Sequence, residues 1–161
     1  NVILKIGEEE IYASKEYLAV QSPVFEAMFF GEYAEKGKDE IEIKDVVYEE
    51  FLDLLSFIYL GDVKITDRTV LHILKLADQF QIEAVLKRAK LHLTQSEKFD
   101  ILEKLVFADQ YNLVDIRDHC LKSFTNATQL FQKLQPSPEY AKFSGEMKIA
   151  ICDRMMELQL Q

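Results

Sequence analysis

The stretch LKLADQFQIEAV, residues 74–85, is followed 31 positions on by LVFADQYNLVDI, residues 105–116. Such a repeat constrains a fold strongly, because two segments with one apolar spacing call for one local geometry. Overlaying 74–93 on 105–124 matches Leu74 with Leu105, Ala77 with Ala108, Asp78 with Asp109 and Gln79 with Gln110. Phe80 meets Tyr111, Ile82 meets Leu113, Val85 meets Ile116, Ala89 meets Cys120 and Leu93 meets Phe124. The apolar positions recur at helical spacing, stop at the aromatic and resume at the aliphatic two residues on. Each copy therefore reads as helix, tight turn, helix. The small Ala lets a neighbouring helix approach closely, and the aromatic closes the turn. A solenoid needs about three or more repeats, so two copies predict a pair of stacked helical hairpins.

The rest of the chain divides by its periodicity. VILKI at 2–6 and EIYA at 10–13 flank Gly7 and an acidic turn, which predicts a β-hairpin. EIEI at 40–43 alternates strictly and predicts a third short strand with one buried face. Ser22-Pro23 sets an N-cap hydroxyl before a proline at the first helical position, and the apolar run VFEAMFF follows. Residues 48–60 place Phe51, Leu54, Leu55 and Ile58 on one stripe, and Gly61 ends that helix. Thr66 or Asp67 is the expected cap of the next helix. Thr94 with Glu97 is the expected capping box of the helix that opens the second copy. Pro136-Ser137-Pro138 breaks the chain, and a last helix from about Glu146 carries Met147, Ile151, Met155 and Leu158 on one face. Strands end early and only helices follow, so we expect an α+β fold with a boundary near 94–96: residues 1–95 as a mixed unit, residues 96–161 as a helical extension.

Composition narrows the function classes. The chain has 161 residues, 48% hydrophobic and 29% charged, with five Gly and three Pro, which suits a core-forming, helix-rich domain. A net charge of −9 opposes phosphate tracking and anionic membranes, so neither nucleic acid nor membrane is an expected partner. No apolar run approaches the ~18 residues that span a bilayer, and no signal-peptide pattern opens the chain. It begins at Asn1 and runs straight into a strand, so we expect a piece of a longer protein. Cys120 and Cys152 stand in no metal or redox spacing and are expected as buried free thiols, suited to a reducing compartment, cytoplasmic or nuclear.

Nothing in the pattern predicts catalysis. There is no Gly-rich phosphate loop and no nucleophile elbow. His72, His92 and His119 each lack an i+4 partner that could share a metal. Glu49-Glu50 sits at a helix start, where acidic groups favour the dipole. Asn126-Ala127-Thr128 matches a glycosylation acceptor and is expected to be a chance match. No catalytic residue, metal or cofactor is expected; an interaction module is. The most suggestive exposed stretch is GEYAEKGKDE at 31–40, charged and carrying one aromatic, Tyr33.

Taken together, VILKIG, KEYLAVQSPVFEAMF, IEIKDVVYEEFLDLLSFIYLGDV and LADQFQIEAVLKRAKLHL resemble the BTB/POZ domain over about residues 1–95. SPVFEAMF and FLDLLSFIYLG are the most specific segments. Residues 96–161 look like the helical extension, the 3-box or the start of a BACK domain, that follows BTB in ubiquitin-ligase adaptors. The nearest flavour is the MATH–BTB adaptors, whose substrate-binding domain would lie upstream of Asn1.

The resemblance implies a homodimeric adaptor that docks on the N-terminal region of a cullin-3 scaffold. The family's cullin motif, hydrophobic-any-Glu, falls on Tyr33, Ala34 and Glu35. The resemblance also brings the turn Gln79, Phe80, Gln81 and the second turn's Tyr111 toward the cullin, and it assigns Tyr17, Leu18, Gln21 and Val24 to the dimer. Two departures stand out: Asn1 replaces a frequent Asp, and Ser14 a common His, in a charged feature beside the dimer interface. A corepressor-recruiting transcription regulator and a pure oligomerisation scaffold are the alternative readings; the extension and the Tyr-Ala-Glu motif favour the adaptor.

Overall fold

A computed structural model describes residues 1–32 and 38–160. The chain forms two compact units, residues 1–92 and 93–161, whereas the composition shift had suggested a division at 95. The division falls inside a helix.

The first unit opens with strands β1 (Val2–Ile6) and β2 (Glu9–Ala13), antiparallel, with Ile3 opposite Tyr12 and Ile6 opposite Glu9. The turn between them has two residues, one fewer than the sequence suggested. Gly7 takes φ 60°, a left-handed conformation that glycine adopts without Cβ strain. Strand β3 (Glu40–Glu42) pairs parallel to β1, giving the order β2-β1-β3. Val2, Leu4 and Ile6 point into the core, while Ile3 and Lys5 face outward with Glu10 and Glu40. On that outer face the Lys5 ammonium lies 2.6 Å from Glu40 and 3.4 Å from Glu10. The hydrogen bond to Glu40, foremost, holds its pKa above the ordinary lysine value against a smaller desolvation effect.

Helices α1 (Lys15–Gln21) and α2 (Pro23–Phe30) meet at Ser22, as the Ser-Pro pair predicts. The Ser22 hydroxyl accepts from the Phe25 N–H at 3.1 Å and donates to the Phe80 carbonyl. Helix α3 (Tyr48–Leu60) stops before Gly61 and buries Phe51, Leu54, Leu55, Phe57 and Ile58. The next helix, α4 (Val70–Gln79), starts later than a Thr66 or Asp67 cap would require. Thr69 takes the N-cap position, and its hydroxyl accepts from the Thr66 N–H at 3.0 Å. Asp67 instead meets His92 of α5 (Glu83–Gln95) at 2.8 Å. On the same helix Arg88 donates to the Gly61 and Val63 carbonyls, so α5 secures the α3–α4 connection by its carbonyls.

The second unit contains the end of α5 and helices α6 (Ile101–Gln110), α7 (Val114–Lys122), α8 (Ala127–Leu134), α9 (Pro138–Lys142) and α10 (Gly145–Gln159). Thr94 and Glu97 do not cap α6: Thr94 continues α5, and the capping box is Asp100 with Glu103. Asn126 caps α8 by accepting from the Gln129 N–H at 2.8 Å, a structural use for the residue of the apparent glycosylation triplet. Helix α10 packs on α7 and α8, burying Met147, Ile151 and Leu158 and half-burying Met155. Arg154 fixes it by donating to the Leu121 and Phe124 carbonyls at 3.2 and 3.0 Å.

The two repeat copies end their first helices identically. Ile82 N–H reaches Ala77 O at 2.8 Å, and Leu113 N–H reaches Ala108 O at 2.7 Å. Inside each of those loops a second bond closes a shorter span of chain, Gln81 N–H to Asp78 O at 3.0 Å and Asn112 N–H to Asp109 O at 3.4 Å. This is a Schellman motif, written twice without glycine. Gln81 and Asn112 occupy its left-handed position with φ of 51° and 52°. Asn tolerates that region better than Gln. Gln81→Gly is therefore expected to stabilise the first unit by about 0.5–1 kcal/mol, and Asn112→Gly to stabilise the second by less. Urea unfolding midpoints measure both, and a larger gain at Asn112 would contradict this account of the turns.

Candidate protein-docking surfaces

Of the residues assigned to self-association, Tyr17, Leu18 and Gln21 lie on α1 and Val24 on α2, and they turn in different directions. Tyr17 is exposed; its ring stacks on Tyr59 at 4.8 Å and its hydroxyl donates to the Ile58 carbonyl. The Tyr59 hydroxyl accepts the Ser14 N–H at 3.2 Å, so two tyrosines tie the start of α1 to the end of α3. Leu18, by contrast, is 0% exposed. Its side chain belongs to the core of the first unit, which corrects its assignment as a contact. Gln21 and Val24 are half-buried. The residue that sequence reasoning missed is Val20, at 83% exposed. Val20 lies at i+3 from Tyr17, on the same side of the helix, with Leu18 on another, but the unbroken apolar run Tyr17–Val20 gave no signal of which side is buried.

The departure at Ser14 also has a local explanation. The Ser14 hydroxyl accepts from the Tyr17 N–H, capping α1, and donates to Glu16 at 3.1 Å. A hydrogen bond from its own backbone N–H, foremost, and then Ser14 hold the Glu16 carboxyl below the usual range. Lys15 donates to the Lys38 carbonyl at 3.0 Å. The serine thus does the work of a helix cap at the position where the resemblance would place a histidine.

For the scaffold-docking surface, Tyr33, Ala34 and Glu35 lie outside the described residues. The helix that leads to them ends in Phe30, an exposed aromatic whose place in the almost wholly apolar VFEAMFF run hid its orientation. In the α4–α5 turn Gln79 and Gln81 are exposed, but Phe80 is 3% exposed. Its ring stacks on Phe25 at 4.8 Å and meets Phe51 edge-on at 5.5 Å. Phe80 is a core residue at the helix end, so the turn offers its two glutamine side chains and not its aromatic. In the second unit Tyr111 is half-buried at the equivalent turn position, with the Gln110 amide 3.4 Å from its hydroxyl.

Chemistry-bearing groups are placed as structural elements. His72 meets Asp53 at 2.9 Å and His92 meets Asp67 at 2.8 Å, each joining two parts of the first unit. Among the described residues no three His, Cys, Asp or Glu side chains are placed to hold a metal, and no helix is long and apolar enough to cross a membrane. Cys120 is buried, and that burial pushes its thiol up against a small opposing effect from Lys104. Cys152 is exposed on α10, which corrects the expectation that both thiols are buried.

Comparison with known proteins agrees with this geometry. The chain is similar to BTB and MATH domain-containing protein 38 of Caenorhabditis elegans, 33% identical over 158 residues, 98% of this chain and 41% of that protein. It is also similar to human Kelch-like protein 28, 32% identical over 72% of this chain and 20% of that protein. The chain thus spans well under half the length of these relatives. Among solved structures, the BTB domain of zebrafish PATZ1 superposes with a TM-score of 0.51 at 26% identity, covering 59% of this chain and 75% of that one. The family model described as BTB/POZ domain matches residues 1–97. With its three-stranded sheet, its SPVF-capped helix and the helical hairpin that closes the first unit, the chain belongs to the BTB/POZ family of protein-interaction domains.

Proposed function

We propose that this chain is the self-associating, scaffold-docking part of a substrate adaptor, which binds the N-terminal region of a cullin-3 scaffold and brings substrates to ubiquitination. The observation that carries the reading is the reach of the similarity. It runs through the helical unit as well as the BTB domain, over 158 residues of a relative named for BTB and MATH domains. A module that only dimerises has no need of the second unit, whereas an adaptor can use it as a further contact for its partner.

The roles divide by surface. Tyr17 and Val20 on α1 face a second copy, with Gln21 and Val24 at the edge of that contact. Tyr33, Ala34 and Glu35 follow Phe30 in the chain and supply the docking motif. Tyr33 is its anchor, because aromatics desolvated in a partner's pocket dominate interface energies, and Glu35 sets register. Gln79 and Gln81 contribute polar contacts from the α4–α5 turn, and Tyr111 from the second unit. Substrates are read by a separate module, upstream in the whole protein, in the cytoplasm or nucleus. Tyr33→Ala combined with Glu35→Ala is expected to weaken binding to the cullin-3 N-terminal fragment at least about thirtyfold, with folding intact. Calorimetric titration checks this. Unchanged binding by the double variant removes the site, and no binding by the wild type removes the adaptor reading itself.

A further inference from the structure

Among the described residues of the first unit, Ser22 is the one buried polar side chain, at 1% exposed. It has two partners from two parts of the chain. Its oxygen accepts the Phe25 N–H, and its hydrogen goes to the carbonyl of Phe80. A helix cap accounts for the first bond only. The second reaches Phe80, the residue that caps the C-terminus of α4, between the two exposed glutamines of the α4–α5 turn. The other groups of that turn are spent locally: Phe80 N–H on Leu76 O, Gln81 N–H on Asp78 O, and Ile82 N–H on Ala77 O. The Phe80 ring is in turn stacked on Phe25, the residue whose N–H Ser22 accepts. Ser22 therefore ties the turn's backbone to the corner between α1 and α2 through the same pair of residues whose rings pack together.

The turn needs such a restraint. Gln81 holds φ 51°, a region that a side chain bearing Cβ enters at a conformational cost and leaves when the surroundings loosen. The equivalent turn of the second unit has asparagine there, which is better suited to that region. We propose that Ser22 is a positioning residue for docking: it never touches the partner, but its bond to Phe80 O fixes the direction in which Gln79 and Gln81 are presented. The proposal rests on the docking reading of that turn.

The test compares Ser22→Ala with Ser22→Thr, which keeps donor and acceptor, in the full chain. The readouts are amide hydrogen exchange at Gln81 and Ile82, exchange in β1 as the reference, and titration with the cullin-3 N-terminal fragment. A lost hydrogen bond of ordinary strength corresponds to roughly a three- to tenfold change. Ser22→Ala should speed exchange at Gln81 and Ile82 by about that factor beyond the change in β1, and weaken binding by a similar factor. Ser22→Thr should restore both. If the turn amides change only in step with β1, or if Ser22→Ala binds as wild type does, Ser22 is a helix cap and the proposal falls. Should Ser22→Ala not fold, Ser22→Cys keeps the shape with a much weaker donor and is read by the same criteria. A wild-type chain that fails to bind overturns the docking reading and the role in docking with it; exchange that nonetheless quickens selectively in the turn then isolates the failure to the partner.

Discussion

Phe80→Ala is expected to destabilise the first unit by about 3–5 kcal/mol, the cost of truncating a large buried aromatic. The ring is covered almost completely and packs against Phe25 and Phe51, and Phe25 in turn stacks on Phe29 at 5.6 Å. Removing it takes one member from a four-ring cluster, centred on Phe25, that joins α2, α3 and the end of α4. Aromatic pairs of this kind add about 0.5–1.5 kcal/mol beyond the area they bury, so the effect belongs at the upper part of that range. A domain is stable by only about 5–15 kcal/mol, and the variant stands to lose much of that. The distinction from a docking contact is measurable. Denaturant unfolding should show a lower midpoint for Phe80→Ala, with partner binding lost in proportion to the unfolded fraction. Gln79→Ala, by contrast, alters an exposed side chain and should leave the midpoint within about 0.5 kcal/mol. Wild-type stability with selectively lost binding in Phe80→Ala would return the ring to the interface.

What could be read in advance followed from the range of the signal. The hairpin, the Ser22-Pro23 cap and the twin turns rest on residues close together in the chain, where spacing alone fixes geometry. The repeat even placed Gln81 and Asn112 at one position before any backbone angle was known. The direction of Phe80 was another matter. An aromatic at a helix end can close the turn inward or project outward, and the partners that draw it in, Phe25 and Phe51, come from distant helices. Leu18 was ambiguous for a different reason. Tyr17, Leu18, Ala19 and Val20 form an unbroken apolar run in a seven-residue helix, too short for periodicity to separate the core face from the exposed one. The capping box of α6 was expected at Thr94 with Glu97 and is formed by Asp100 with Glu103. The choice was made by α5, which runs on to Gln95 and leaves Thr94 inside a helix. The proposed docking residues came from the sequence as a list, not as a surface, because each assignment depended on which way a side chain turned.

Ile151→Ala on α10 is expected to cost about 3 kcal/mol of stability while leaving the oligomeric state unchanged. The Met147, Ile151, Met155, Leu158 stripe could have served the interior or a second copy, since a methionine-rich face suits either use. The structure uses it inside the second unit. Ile151 is 2% exposed, α10 lies on α7 and α8, and Arg154 adds two hydrogen bonds to the carbonyls at the end of α7. Truncating Ile151 therefore opens a cavity among residues that cannot all close on it. Met156 on the opposite side is exposed, so Met156→Ala should shift stability by less than about 0.5 kcal/mol. Urea unfolding gives the stabilities and light scattering the mass. A stable Ile151→Ala chain that dissociates would mean that the stripe is an interface, and its burial within one copy would then have to give way on assembly. A destabilised chain of unchanged mass keeps self-association on α1, where Tyr17 and Val20 are exposed in the folded unit and need no rearrangement to meet a partner.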